Sequence, residues 1–407
     1  MPREPLGRVL NGRNDGTRGA PPASLMRDSQ ALETTTTDIG YSPGDLIAGK
    51  YRLESGIREG GMCRVRMGVH TMLDLPVAIK YLRPSFRCRM LARSLLREAR
   101  ATAALQHPAI VRILDWGLVS PDDGYIVMEQ LEGEELRAYM NRQDPLPPEH
   151  AIRLLLPICG GIAVAHARRI VHRDLKPENV ILARDDAGHI QPKVLDFGIA
   201  NRAFEERLRQ GSGAAAVGTL GYMPPEQAFG LGSVDHRTDI WAYCAMVYEA
   251  LSGRTPVEGE TLDELQRALV EAEIPSLAET IGIDDTLWAI LERGLRKEPN
   301  ERWQAMHELG QELARWLLSR GVYDDVSGRS LISEWLRQWA STPFAACCAV
   351  NDSSPPSDDT FVRSTPLPFP LVKPKAKGAA RRRAGCARGR LELLRSLQAD
   401  AKRTPSR

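Results

Sequence analysis

The chain has 407 residues, 43% hydrophobic and 26% charged with a net charge of +2, which leaves room for two or three domains and an ample core. Its seven cysteines (63, 88, 159, 244, 347, 348, 386) show no CxxC pair and no framework spacing, so a disulfide scaffold is excluded in favour of reduced, mostly buried thiols. No apolar run approaches the ~20 residues of a bilayer span. The best candidate, Leu154 to Ala167, is flanked by Arg153 and Arg168 and reads as a buried helix. Met1 to Gly16 lacks the apolar core of a signal peptide, and the expected setting is cytoplasmic.

In chain order, residues 1–45 are rich in Gly, Pro, Arg, Ser and Thr without apolar periodicity and read as a disordered arm. Within it, Glu33-Thr34-Thr35-Thr36-Thr37-Asp38 is a threonine cluster. Val77-Ala78-Ile79-Lys80 is a strand ending on an ammonium. Glu98 lies in a helical stretch, Arg93 to Leu105, ahead of His107-Pro108. His172-Arg173-Asp174-Leu175-Lys176-Pro177-Glu178-Asn179 and Asp196-Phe197-Gly198 then supply a candidate base, Asp174, and two candidate Mg²⁺ ligands, Asn179 and Asp196, on adjoining loops. An Asp that accepts a hydroxyl proton, an Asn on the same loop and a second Asp returning from the next hairpin point to phosphoryl transfer.

These motifs, in this order, make Tyr51 to about Leu317 resemble the catalytic domain of eukaryotic-like protein kinases, most closely the serine/threonine kinases of bacteria. The resemblance implies an α+β bilobal fold, with a small antiparallel-sheet lobe carrying one helix (about 51–131) and a larger, mostly helical lobe (about 132–317), in a catalytic domain spanning 46–317. It also implies ATP and Mg²⁺ as cofactors, with Mn²⁺ as a substitute, and autophosphorylation in bacterial signalling. In that frame Lys80 binds the α/β-phosphates and is held by Glu98, Asp174 is the base, and Lys176 neutralises the transferring phosphoryl group. Val65 and Ala78 roof the adenine and Ile181 is its floor. Met128 is the gatekeeper, and Glu129-Gln130-Leu131 is the hinge.

The Gly-rich loop departs from the family. The pattern falls on Arg58-Glu59-Gly60-Gly61-Met62-Cys63-Arg64-Val65, so the middle glycine, Gly60, is kept, and Gly61 restores some of the freedom lost at Arg58 and Cys63. Arg58 reads as a solvated side chain, with phosphate binding as the alternative. Glu135 is either a ribose partner or a carboxylate at a helix N-terminus.

Lys176 and Thr219 match the serine/threonine-specific pattern, which makes proteins with Ser or Thr acceptors the expected substrates. Arg173 in such a loop normally meets a phosphate on the activation segment, where Ser212 and Thr219 are the few candidates, so either Ser212 is the single switch or the loop is ordered without phosphate. Glu226 is expected to pair with Arg302, and Asp239 to brace the catalytic loop. Cys244 replaces a family glycine.

A short helix from Ser330 to Trp339 within an extension, 318–345, presents Leu331, Trp335 and Trp339 to the kinase. Residues 346–407 are Pro-rich, then basic: Lys373 to Arg407 holds twelve Lys or Arg against Glu392 and Asp400. Such a tail is a solvated end or a binder of an acidic protein, nucleic acid or a membrane surface. The Thr34 to Thr37 cluster is a solvated linker or an autophosphorylated docking site for a phosphothreonine-binding domain. The rival to the enzyme is a pseudokinase scaffold that binds nucleotide weakly. Two lost loop glycines favour the scaffold, and retention of Lys80, Glu98, Asp174, Asn179 and Asp196 opposes it. Small-molecule phosphotransfer is disfavoured by Lys176 and Pro225-Glu226.

Overall fold

A computed structural model of the protein describes residues 40–59, 61–143, 145–185, 188–197, 221–230, 234–259 and 261–336. Gly60, Gly198, Ser212, Thr219, the Thr34 to Thr37 cluster, Trp339, and the Pro-rich and basic tail lie outside these residues.

The smaller lobe is a six-stranded antiparallel sheet of β1 (Leu46–Ile47), β2 (Tyr51–Glu59), β3 (Cys63–His70), β4 (Leu75–Leu82), β5 (Ile113–Ser120) and β6 (Asp123–Glu129), in the order β1-β2-β3-β4-β6-β5. Strand residues alternate between two faces. On β4, Val77, Ile79 and Tyr81 enter one core with Leu53, Tyr125 and Val127. Ala78 and Leu82 enter the other, with Ile126, Met128 and the inner side of helix α1 (Arg89–Ala103). Lys80 shares the second face, which delivers its ammonium beneath α1. A one-residue slip of register would exchange the two faces and carry it into the wrong core.

Helix α1 starts four residues before the expected Arg93 and ends two before Leu105. Its buried residues, Ala92, Ser94, Leu95, Glu98, Ala99 and Thr102, follow a three- and four-residue spacing. Glu98 is therefore on the packed stripe.

The larger lobe combines a small antiparallel sheet, β7 (Gly133–Glu135), β8 (Val180–Arg184) and β9 (Ile190–Val194), with eight helices among the described residues. These are α2 (Leu136–Gln143), α3 (Pro148–Ala167), α4 (Pro225–Ala228), α5 (Arg237–Ser252), α6 (Leu262–Glu271), α7 (Leu277–Ile281), α8 (Asp285–Gly294) and α9 (Met306–Ser319). The apolar run Leu154 to Ala167 forms the C-terminal part of α3. At 20 residues and mean hydropathy 1.4 the whole helix has the length and composition of a membrane span, which corrects the shorter expectation. Two thirds of that window (67%) is buried inside the fold, where α3 packs on α5 and α9 as a core helix.

Cys159 and Cys244 are buried free thiols, whereas Cys63 and Cys88 are half-buried. Cys244 is accommodated by a glycine opposite: a Cβ on Gly294 would sit 2.2 Å from Cys244 Sγ.

After α9 the chain turns back through a bridge between Asp324 and Ser330 and buries Leu331 and Trp335 in the larger lobe's core. A π-helical turn, Ile332–Leu336, stands where a regular helix was expected. This wider turn accompanies insertion of Trp335 over Gly310, where a Cβ would lie 2.0 Å from the indole Cζ3.

Candidate active site

Between the sheet of the small lobe and β7–β8 lies a cleft of about 820 Å³, within the range of small-molecule sites. Its walls include Gly61, Val65, Ala78, Met128, Glu129, Leu131, Glu135 and Ile181, together with Lys80, Asp174, Lys176, Asn179 and Asp196. The registers explain the assembly. Val65 pairs with Lys80, Ala78 with Met128, and Glu135 with Ile181.

Lys80 Nζ lies 2.8 Å from Glu98 Oε1 and 2.8 Å from Asp196 Oδ1. Burial alone would lower the lysine pKa, but the Asp196 and Glu98 carboxylates outweigh it and hold the ammonium well above its ordinary range. Burial pushes the Glu98 carboxyl up, whereas Lys80 holds Asp196 below the usual carboxylate range despite its burial. Cys63, on the same wall, has its thiol raised to about 11 by burial, so it is a neutral packing group there.

Asp174 accepts from Lys176 Nζ at 3.0 Å and, through Oδ2, from Asn179 Nδ2 at 3.1 Å; the same amide donates to the Asp174 carbonyl at 2.7 Å. With its nitrogen used inside the loop, Asn179 keeps its amide oxygen for another partner. Arg173 has φ 68°, a left-handed conformation that costs a non-glycine residue about 1 kcal/mol or more. Two contacts stabilise it: its N–H donates to Asp239 Oδ1 at 2.8 Å, and Gln227 Nε2 donates to its carbonyl at 2.8 Å. Asp239 Oδ2 also accepts the His172 N–H at 2.8 Å and meets His166 Nε2 at 2.7 Å. Asp239 is fully buried, and the His166 hydrogen bond leads the interactions that hold its carboxyl below the usual range against that burial. The expected brace is thus present. Any phosphate partner of Arg173 lies outside the described residues.

Arg58 is exposed, as expected for a solvated side chain, and in addition forms an ion pair with Glu135 across the mouth of the cleft. Glu135 immediately precedes α2 but is engaged by that guanidinium. The Glu129 side chain accepts Arg112 N–H at 2.8 Å and Lys193 Nζ at 2.6 Å. Glu226 and Arg302 form a bidentate pair at 2.7 and 2.8 Å, with Arg302 fully buried.

Residues given no role in the sequence reading also support the site. His172 Nε2 donates to Leu195 O at 2.9 Å and its ring packs 4.8 Å from Phe197. Arg137 bridges Glu178 at 2.8 Å and Glu249 at 2.7 Å. His166, the one imidazole in an apolar run, carried the clearest signal; Arg137 and Gln227 sit in contexts with none.

Among the described residues no cluster of three His, Cys, Asp or Glu could cage a metal. The Asn179 amide oxygen and the Asp196 carboxylate are hard donors, as Mg²⁺ requires, and that ion ordinarily completes its shell with phosphate oxygens and water. The donor set fits.

The protein kinase domain family model matches residues 51–314, and the chain belongs to that family. It is 36% identical over 283 residues to the serine/threonine-protein kinase pkn2 of Myxococcus xanthus, covering 67% of this chain and 33% of that protein. It is 35% identical to the serine/threonine-protein kinase PknB of Mycobacterium leprae (66% and 43% covered) and 34% to PrkC of Bacillus subtilis (66% and 41%). The chain therefore spans between 33% and 43% of the length of these relatives. Among solved structures, the Mycobacterium tuberculosis PknI kinase domain matches with a TM-score of 0.54 and 23% identity, covering 68% of this chain and 99% of that one, a likeness of fold.

Proposed function

We propose that this chain is a bacterial protein serine/threonine kinase that transfers the γ-phosphate of ATP to protein hydroxyls in the presence of Mg²⁺. The observation that carries the reading is Lys80 Nζ at 2.8 Å from both Glu98 and Asp196, in one cleft with Asp174, Lys176 and Asn179. In this reading Lys80 binds the α/β-phosphates and Glu98 positions it. Asp174 orients the acceptor hydroxyl and takes its proton, and Lys176 neutralises the phosphoryl oxygens. Asn179 and Asp196 would hold the metal, which would supply positive charge against the phosphate oxygens. The apolar walls, Val65, Ala78, Met128, Leu131 and Ile181, take the adenine.

The catalytic unit of this reading is 46–317, flanked by an arm, an extension and a tail. A cytoplasmic setting belongs to it, because ATP is supplied there. Protein substrates are the partners it requires. The Thr34 to Thr37 cluster and the basic tail offer two more, a phosphothreonine-reading domain and an anionic surface. The scaffold reading draws on Arg58, a bulky residue at a glycine position, paired to Glu135. The deciding experiment follows transfer from labelled ATP to a generic basic protein, with phosphosites mapped. Phosphoserine or phosphothreonine supports the kinase. Measurable nucleotide binding with no transfer supports the scaffold.

A further inference from the structure

The solvent side of α1 is a line of arginines. Arg89, Arg93, Arg97 and Arg100 are all exposed, while the helix's one carboxylate, Glu98, is buried on the opposite side. Among the described residues the stripe meets one carboxylate, Asp122, 3.8 Å from Arg89, and the guanidinium groups of Arg93, Arg97 and Arg100 have no hydrogen bond or ion pair. This arrangement works against the helix. Arg89 and Arg93 lie near its positive N-terminal end with no acidic residue in the first turn, and the steps 89 to 93 and 93 to 97 set like charges four residues apart. An anionic partner would relieve both penalties.

The chain offers a candidate partner close in sequence to a residue that sits beside the start of α1. Tyr41, near the start of the described residues, has its ring 4.8 Å from the Arg87 guanidinium and donates its hydroxyl to Asp123 Oδ2 at 2.6 Å. Arg87 lies two residues before α1, and its Nη2 is buried without a hydrogen-bond partner among the described residues. The segment Glu33-Thr34-Thr35-Thr36-Thr37-Asp38 ends three residues before Tyr41. Thr37 is four residues away, ~14 Å of extended chain at most. Alternate side chains of an extended segment repeat every ~7 Å, and arginines four apart on a helix repeat every ~6 Å. The two periods match.

We propose that the arginine stripe of α1 is an intramolecular docking site for the phosphorylated Thr34 to Thr37 segment, and that docking holds α1 where Glu98 meets Lys80. The source of phosphate rests on the kinase reading. The P–O bond from the γ-phosphorus to ADP breaks as the bond to a threonine Oγ forms, and the hydroxyl proton passes to Asp174. Phosphothreonine brings nearly two negative charges and three acceptor oxygens, which the guanidinium groups bind in charge-assisted pairs.

The test uses the full chain with Thr34, Thr35, Thr36 and Thr37 all changed to Val, which removes the competing arm. A fluorescent synthetic peptide of residues 30–41, phosphorylated at Thr35 and Thr37, is titrated by anisotropy. The expected result is affinity at least about tenfold above the unphosphorylated peptide, lost by about tenfold in Arg93→Gln/Arg97→Gln. Both arginines are exposed, so the core is untouched, and a thermal melt verifies that. Equal binding of the unphosphorylated peptide, of a scrambled peptide with the same phosphates, or of a residue 207–217 peptide phosphorylated at Ser212 would overturn the proposal. So would undiminished binding by the double variant. Because the phosphopeptide is synthetic, failure of the chain to phosphorylate itself would count against the kinase reading alone.

Discussion

Lys80 and Asp196 meet across the cleft, Nζ to Oδ1 at 2.8 Å, although one comes from the sheet of the small lobe and the other from the loop after β9. The same ammonium holds Glu98 of α1. Three elements distant in sequence therefore converge on one cation, and the site depends on all three staying in register.

Replacing Lys80 by Met leaves two carboxylates without their cation and removes the proposed phosphate contact. We expect kcat to fall about 10²- to 10³-fold with the fold retained, measured by steady-state phosphotransfer beside a thermal melt. A variant with near wild-type kcat would remove Lys80 from the site.

Glu226 of α4 pairs with the fully buried Arg302. Arg302→Met leaves a largely buried carboxylate without its cation and should cost about 3–5 kcal/mol in urea denaturation. Adding Glu226→Met should recover part of that loss, since both charges are then gone.

His107 gives the acid limb of stability a specific origin. Burial lowers its pKa from 6.5 to about 4. The folded state favours the neutral ring, so the contribution is complete above pH 6.5 and disappears as pH falls toward 4. It amounts to about 3 kcal/mol. His107→Gln should flatten denaturation midpoints across that window, and an unchanged slope would contradict the assignment.

Trp335 stacks on His307 at 5.5 Å and fills the space over Gly310. Trp335→Ala should cost about 3–5 kcal/mol by opening a cavity in the larger lobe. Gly310→Ala should cost about 1–3 kcal/mol by overpacking the same spot, and a denaturant series measures both.

Much of the geometry of the proposed site was legible because phosphoryl transfer would need particular side chains at fixed short spacings. Asp174, Lys176 and Asn179 lie within one loop, and Lys80 and Asp196 each sit in a compact motif. The Glu226–Arg302 pair and the Asp239 brace could be expected for the same reason. The exposure of Arg58 was legible but its partner was not, because nothing local places Glu135 opposite it. The Arg137 bridge to Glu178 and Glu249, 41 and 112 residues away, carries no local signal either. Cys244 could be understood only with Gly294 beside it. The π-helical turn at Trp335 was hidden because apolar spacing records which residues are buried and not how the backbone winds to bury them.

The most direct test of the account sets purified full-length protein beside Asp174→Asn, each with labelled ATP and Mg²⁺, under identical nucleotide binding. The account predicts phosphate on serine or threonine with the wild type and a loss of at least about 10²-fold in the variant. Equal transfer by both, or none by the wild type while it binds ATP, would contradict it.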